Sequence, residues 1–259
     1  MSFPNTTGKH SFDPFFTPQE LIEYAKKTGR SYDFPVPKGV ILIYHNSLLK
    51  QIEESGSLRL IPDVFAGKFY ILEKEGVTIG VCGGFGIGPS AVVTVMEELI
   101  AFGVKNFLSI GTAGGLQKTL QIGDVAMCDK AIRDEGVSHH YLESSKYSHT
   151  SESLTAAFKS ELEKSNLNPT VGTTWTIDAP YRETVEELKS YQAEGVLTVE
   201  MEASALAAVA QYRKVEFATA YAISDSLADL VWNPSFSSPH TAGNLRKIYD
   251  SALETIIKL

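Results

Sequence analysis

Short apolar runs punctuated by glycine and polar turns shape the chain from residue 40 onward. Residues 40–44 (Val-Ile-Leu-Ile-Tyr) and 77–82 are too short for helices and carry no polar stripe, which predicts strands buried on both faces. Residues 90–102 instead space Val92, Val93, Met96, Leu99 and Ile100 at helical intervals, and Gly103 follows as a stop signal. A strand over 104–110 then runs into Gly111-Thr112-Ala113-Gly114-Gly115. Strand, turn, helix and strand in succession make a βαβ-like unit, whose binding loops belong beyond the carboxyl ends of its strands. Further strands are expected at 124–128, 196–199 and 217–223, and helices at 153–164, 182–193, 201–212 and 244–257. Ahead of this alternation lies an irregular N-terminal arm, residues 1–39, with one helix. Its start is Thr17-Pro18-Gln19-Glu20, a capping box with proline at the first helical position, and Gly29 closes it. No repeat or linker divides the rest, so residues 40–259 read as a single α/β domain.

Composition narrows the function. With 259 residues, 43% hydrophobic and 21% charged, the chain has the make-up of a folded protein. Lys+Arg 23 against Asp+Glu 31 leaves a net charge of -8, and no basic block interrupts it, so neither nucleic acid nor a membrane is expected as a partner. No apolar run approaches the ~20 residues of a membrane-spanning helix, and the polar N-terminus has no signal-peptide core, which predicts a cytoplasmic protein. Cys82 and Cys128 lack metal or redox spacing and read as small core residues. Neither does the adjacent pair His139-His140 have zinc-ligand spacing, and no G-x-S-x-G marks a serine hydrolase. No metal is expected.

Three places carry candidate chemistry. Gly83-Gly84-Phe85-Gly86-Ile87-Gly88-Pro89-Ser90 joins a strand to a helix, where glycines let backbone N–H groups approach an anion. Its spacing matches neither a dinucleotide fingerprint nor a P-loop, and a tight turn without ligand is the alternative. Glu200-Met201-Glu202 sits at a strand-to-helix junction; its carboxylates either complement the helix dipole or accept hydrogen bonds from the vicinal hydroxyls of a ribose. Asp225, after Ile223-Ser224, ends another strand and is either a helix cap or a site residue. Asp178 reads as a cap.

Taken in order, Gly84-Phe85-Gly86-Ile87-Gly88-Pro89-Ser90, Ser109-Ile110-Gly111-Thr112-Ala113-Gly114-Gly115, Ile122-Gly123-Asp124-Val125, Val199-Glu200-Met201-Glu202-Ala203 and Ala222-Ile223-Ser224-Asp225 resemble the nucleoside phosphorylase/nucleosidase superfamily. The resemblance covers roughly 40–259 and leaves the arm unmatched. It implies a central mixed β-sheet flanked by helices, a homodimer or a hexamer built as a trimer of dimers, and no cofactor other than inorganic phosphate as co-substrate. It also assigns roles. Glu202, Met201 and Glu200 would hold the ribose, and Thr112 with the Gly86 loop would lie by phosphate and sugar. Asp225 matches the acid that protonates a purine leaving group, and Pro180, Tyr181 and Arg182 lie where the family contacts the base.

The chain also departs from that pattern. Where phosphorylases of the family carry Gly-Asp-Pro-x-Arg it has Tyr44-His45-Asn46-Ser47-Leu48-Leu49, and Ser109 stands where an arginine often precedes Ile-Gly-Thr. The glutamate of the hydrolytic members is missing from the same stretch. His45, Lys68 and Arg133 are the candidates to replace the charge, and His10 could reach a partner's ribose. The resemblance implies a pentosyltransferase that cleaves a nucleoside with phosphate into free base and ribose 1-phosphate, purine favoured because no Gln-x-Arg pair grips uracil. The alternatives are a hydrolytic nucleosidase, a uridine phosphorylase, and a catalytically dead nucleoside-binding protein.

Overall fold

The structure, a computed structural model, describes residues 6–259; residues 1–5 of the arm lie outside the described residues. The arm makes a 3-10 turn at Lys9–Ser11 and then helix α1 (Pro18–Lys27), opened by the capping box that its sequence predicts: the Glu20 amide donates to Thr17 Oγ1 while the Glu20 carboxylate accepts from the Thr17 amide. Strand β1 (Gly39–Ile43) is buried throughout because helices cover both faces of the sheet. Ile41 and Ile43 point into one core and Val40 and Leu42 into the other, as strand alternation requires. Helix α2 (Asn46–Glu54) was not predicted; it is little more than two turns and buries only Leu48, Leu49 and Ile52.

A meander follows, of β2 (Arg59–Ile61), β3 (Lys68–Lys74) and β4 (Val77–Gly83). Glu75 and Gly76, at φ 53° and 76°, turn β3 into β4, the positive pair that a two-residue hairpin loop demands. Helix α3 (Pro89–Phe102) starts on proline and ends at Gly103, φ 118°. Beyond it lie β5 (Asn106–Gly115), β6 (Val125–Asp134), β7 (Tyr147–His149), α4 (Glu152–Lys164), β8 (Thr170–Ile177), α5 (Val185–Ala193), β9 (Thr198–Glu200), α6 (Ala203–Arg213), β10 (Glu216–Ser226), β11 (Asn233–Pro234) and α7 (Pro239–Lys258).

The sheet is mixed. β4, β1, β5 and β10 run parallel in that order, with β3 antiparallel outside β4 and β2 antiparallel outside β3. Past β10, the strands β6, β8 and β9 lead back to β5, so β5-β10-β6-β8-β9 closes into a ring. Helices α2, α4 and α7 bury Leu48, Phe158 and Ile248 on one face; α3 and α6 bury Met96 and Leu206 on the other. Helix α1 packs on α3.

Several sequence boundaries are corrected. The glycine run 111–115 is strand, not loop, because Gly114 pairs with Val199 on one side and with Asp225 on the other. β10 continues past residue 223 to Ser226 for the same reason. α5 begins at Val185, since Pro180–Arg182 forms a separate 3-10 turn and Thr184 makes a capping box with Glu187. α7 begins at Pro239, where the Ser238 hydroxyl accepts from the Thr241 amide.

Candidate active site

At the carboxyl ends of β5 and β10 opens a cleft of about 700 Å³, walled among others by Thr112, Pro180, Tyr181, Glu200, Met201 and Asp225. Sequence-predicted residues from distant segments thus converge on one cavity. Glycine makes the convergence possible: a Cβ at Gly114 would stand 2.7 Å from Leu227 Cδ1 and 3.2 Å from Asp225 Oδ2. Between Ile223 and Asp225 the register of β10 against β5 shifts, a bulge that re-aims the side chain beyond it. Asp225 is therefore no helix cap. Its Oδ1 accepts the Ser224 hydroxyl at 2.7 Å and its Oδ2 accepts Trp232 Nε1–H at 3.0 Å. Ile177, Leu188, Leu227 and Leu230 add an apolar stretch of wall against which an aromatic ring could lie.

The acidic pair divides its work. Glu200, buried at the cleft wall, accepts the Thr176 hydroxyl at 2.5 Å on one oxygen and the amides of Glu202 and Ala203 at 2.8 and 2.7 Å on the other. Those amides open α6, which is why the helix starts at Ala203 rather than 201. Glu202 turns the other way and accepts the Gly88 amide at 2.6 Å, tying the helix start to the glycine loop. Burial raises the pKa of both carboxyls, and the neighbouring Glu200 charge raises Glu202 further. With three donors on Glu200 and one on Glu202, the first is the better-solvated anion and the second the readier to hold a proton.

The glycine loop has φ 68°, 101° and 95° at Gly84, Gly86 and Gly88, a left-handed path open to glycine. Near it Tyr44 and Ser109 occupy the positions without the family's cations. Ser109 Oγ donates to the Tyr44 hydroxyl at 3.2 Å, and burial with the Glu202 charge keeps that phenol protonated. Glu202, His45, Gly86 and Lys68 are not among the walls of the cleft, whereas Glu200 and Met201 are. Burial lowers the His45 pKa, so the ring is neutral at pH 7, and it bonds Ser47 at 2.8 Å. Lys68 runs beside Gly84 but pairs with Glu53 at 2.9 Å.

Other expectations find different partners. Arg133 supplies no charge to the site; its guanidinium holds the 138–145 segment through Ser138 Oγ and the Leu142 and Glu143 carbonyls. Asp178 caps no helix but accepts the Gly136 amide at 2.8 Å. Arg182 is exposed beside the cleft rather than in its wall, and His10 Nε2 lies 3.1 Å from the His139 carbonyl. Sequence reasoning missed Trp232 and Glu183. Trp232 sits in a stretch without periodicity, and Glu183 immediately precedes the α5 cap, where its signal merges with the helix start. Glu183 lines the cleft, half-buried, and its carboxyl is pushed up to about 7 by burial first and then by the charges of Asp225 and Glu187.

The chain is similar to known proteins. A family model described as the phosphorylase superfamily matches residues 47–254. A DeoD-type purine nucleoside phosphorylase of Clostridium perfringens (strain SM101 / Type A) is 30% identical over 179 residues, 68% of this chain and 74% of its own. A uridine phosphorylase of Haemophilus influenzae is 34% identical over 146 residues, covering 51% of this chain and 58% of that protein. In fold, the chain is similar to the crystal structure of uridine phosphorylase from Vibrio fischeri ES114, with a TM-score of 0.74 over 86% of this chain and 93% of that one at 24% identity.

Proposed function

The chain belongs to the phosphorylase superfamily, and on that premise we propose that it is a pentosyltransferase that cleaves a purine nucleoside with inorganic phosphate, its one co-substrate, into free base and ribose 1-phosphate. The observation that carries the reading is Asp225, a carboxyl bonded on both oxygens in a cleft that also contains Thr112, Glu183, Glu200 and Met201. Cleavage of the C1′–N bond leaves the sugar cationic and the base electron-rich, so a site for it needs an acid side for the base and an anion side for the nucleophile. A carboxyl meets the first need at N7 of a purine, which a pyrimidine lacks. Amides of loop residues 84–87 and the Thr112 hydroxyl serve the second. Glu202 and Met201 hold the ribose between the two, with Tyr181 and Pro180 stacking on the base.

Purine nucleosides are common to the cytoplasm, which is where we locate the enzyme, as a homodimer or a hexamer of three dimers. A subunit that lends its neighbour a cation accounts for the scarcity of cations at the loop. One observation favours a second reading, hydrolysis: hydroxyls of Tyr44 and Ser109 stand where a phosphate would want positive charge, and Lys68 already has Glu53 as a counter-ion. Incubation with inosine, adenosine and uridine, with and without phosphate, separates the two. The phosphorylase reading expects ribose 1-phosphate and no turnover without phosphate; free ribose at equal rate in phosphate-free buffer overturns it, and a preference for uridine overturns the purine assignment.

A further inference from the structure

The hairpin that β10 makes with β11 brings an indole to the cleft carboxyl. Asp225 stands opposite Pro234 and Ser226 opposite Asn233, so Trp232, two residues before Pro234, shares the face of Asp225 as its diagonal neighbour, a separation that an aromatic side chain spans. The Ser235 amide, donating to the Ser224 carbonyl at 2.9 Å, and the Phe236 ring, its centroid 6.1 Å from that of Trp232, keep the returning strand in this place. Trp232 is nonetheless 60% exposed and lines the cleft, as do Ser224 and Phe236. Three carboxyls line the same cleft: those of Glu183, Glu200 and Asp225. Glu200 is held from outside the wall, by Thr176 and the first amides of α6, whereas Asp225 is held by two side chains of the wall itself, the Ser224 hydroxyl on Oδ1 and the indole N–H on Oδ2. We propose that Trp232 is a positioning residue for the cleavage reaction: its N–H fixes the plane of the Asp225 carboxyl and so aims that group at N7 of the base.

A fixed aim takes two donors. A carboxyl bonded at one oxygen still turns about its Cβ–Cγ bond, a torsion with broad wells, and a second donor at the other oxygen removes that freedom. The Ser224 hydroxyl belongs to the residue next to Asp225 and moves with it, so the indole is the anchor from outside β10. In the step, the C1′–N bond breaks with its electron pair passing to the base, the Asp225 carboxyl proton passes to N7, and a phosphate oxygen bonds to C1′. Asp225 regains a proton from water once the base departs. Proton transfer needs hydrogen-bond distance, so a carboxyl displaced by about 1 Å costs on the order of 10²-fold in rate. Trp232 itself neither gives nor takes a proton in the step, because an indole N–H is a hydrogen-bond donor only.

The inference rests on the purine-cleavage reading. Its test is W232F, which keeps a ring in the wall and removes the N–H, alongside D225N and the double variant D225N/W232F. Each is measured for kcat and KM with phosphate on the neutral purine nucleoside that wild type cleaves best and on 7-methylguanosine, whose base leaves already cationic and needs no proton. On the neutral nucleoside W232F should lose about 10–100-fold in kcat with KM within about three-fold of wild type; on 7-methylguanosine it should lose less than about three-fold, and in the D225N background it should cost nothing further. An unchanged kcat on the neutral nucleoside overturns the proposal. So does an equal loss on both substrates, which marks a merely structural ring, or a further loss in the double variant, which marks an action that bypasses Asp225. D225N at the wild-type rate on the neutral nucleoside overturns it too, since Trp232 then has no acid to aim. All these outcomes leave wild-type cleavage standing, whereas a wild type inert toward every purine nucleoside sinks the purine-cleavage reading, and the proposal with it.

Discussion

Glu200 and Glu202 stand two positions apart yet are committed to different ends. Glu200 spends both oxygens inside the protein, on Thr176 and the first amides of α6, whereas Glu202 has a single loop amide. Glu200→Ala should therefore lower stability by about 2–3 kcal/mol, the scale of charged hydrogen bonds lost at a buried helix start, with turnover per folded molecule retained. Glu202→Ala should do the reverse and cut turnover by more than about 100-fold with unfolding shifted by less than about 1 kcal/mol, if it holds the ribose hydroxyls. Urea unfolding with kcat on the same preparations checks both, and interchanged effects would transfer the ribose to Glu200. The sequence announces both acids through their motif. Which one meets the substrate depends on Thr176 and Gly88, brought up by elements far away in the chain, and no local pattern contains that.

At the scale of elements, legibility followed length. Helices α3 and α4, with several apolar positions at helical spacing, were readable, as was the buried run of β1. β8 was not, because its inward threonines Thr174 and Thr176 look polar in sequence while in the fold they bond Thr198 and Glu200. Nor was the strand character of Gly114-Gly115, since glycine reads as turn and only pairing on both sides makes it sheet. Packing between α3 and α6 was equally hidden. There Arg213 grips Glu97 by three bonds of 2.9–3.1 Å, with the glutamate side chain 10% and the arginine 30% exposed. Arg213→Ala leaves a buried carboxylate without its guanidinium, and partial exposure reduces the full cost of such a break to about 2–3 kcal/mol. A thermal or urea midpoint in R213A and in the double variant E97L/R213M measures it; the single variant should be the less stable of the two, and equality would mean the pair is idle.

For the molecule as a whole, the buried acids dictate how stability follows pH. Glu183 holds its proton to about 7 when folded but ionises at the ordinary glutamate value when unfolded, and burial shifts Glu200 and Glu202 in the same direction. The folded state thus binds more protons than the unfolded chain between those limits, so these groups favour folding at low pH and the benefit is lost as pH rises toward 7 and beyond. Unfolding free energy should fall between about pH 5 and about pH 8, and Glu183→Gln should flatten part of the slope; a slope identical in the variant would remove Glu183 from that balance.

Closure of the ring β5-β10-β6-β8-β9 has a consequence for how this chain meets its own kind in a crowded solution. A sheet invites a stranger's backbone only along an unpaired margin, and a closed ring offers little of it. Part of β3 is unpaired on its outer side, beyond Ile71, and the further margins of β2, β7 and β11 are each two or three residues long. Pro62 follows the first and Pro234 lies in the last, and proline has no amide hydrogen to extend a ladder. The protein can carry an apolar, strand-rich interior while presenting little template for intermolecular sheet growth.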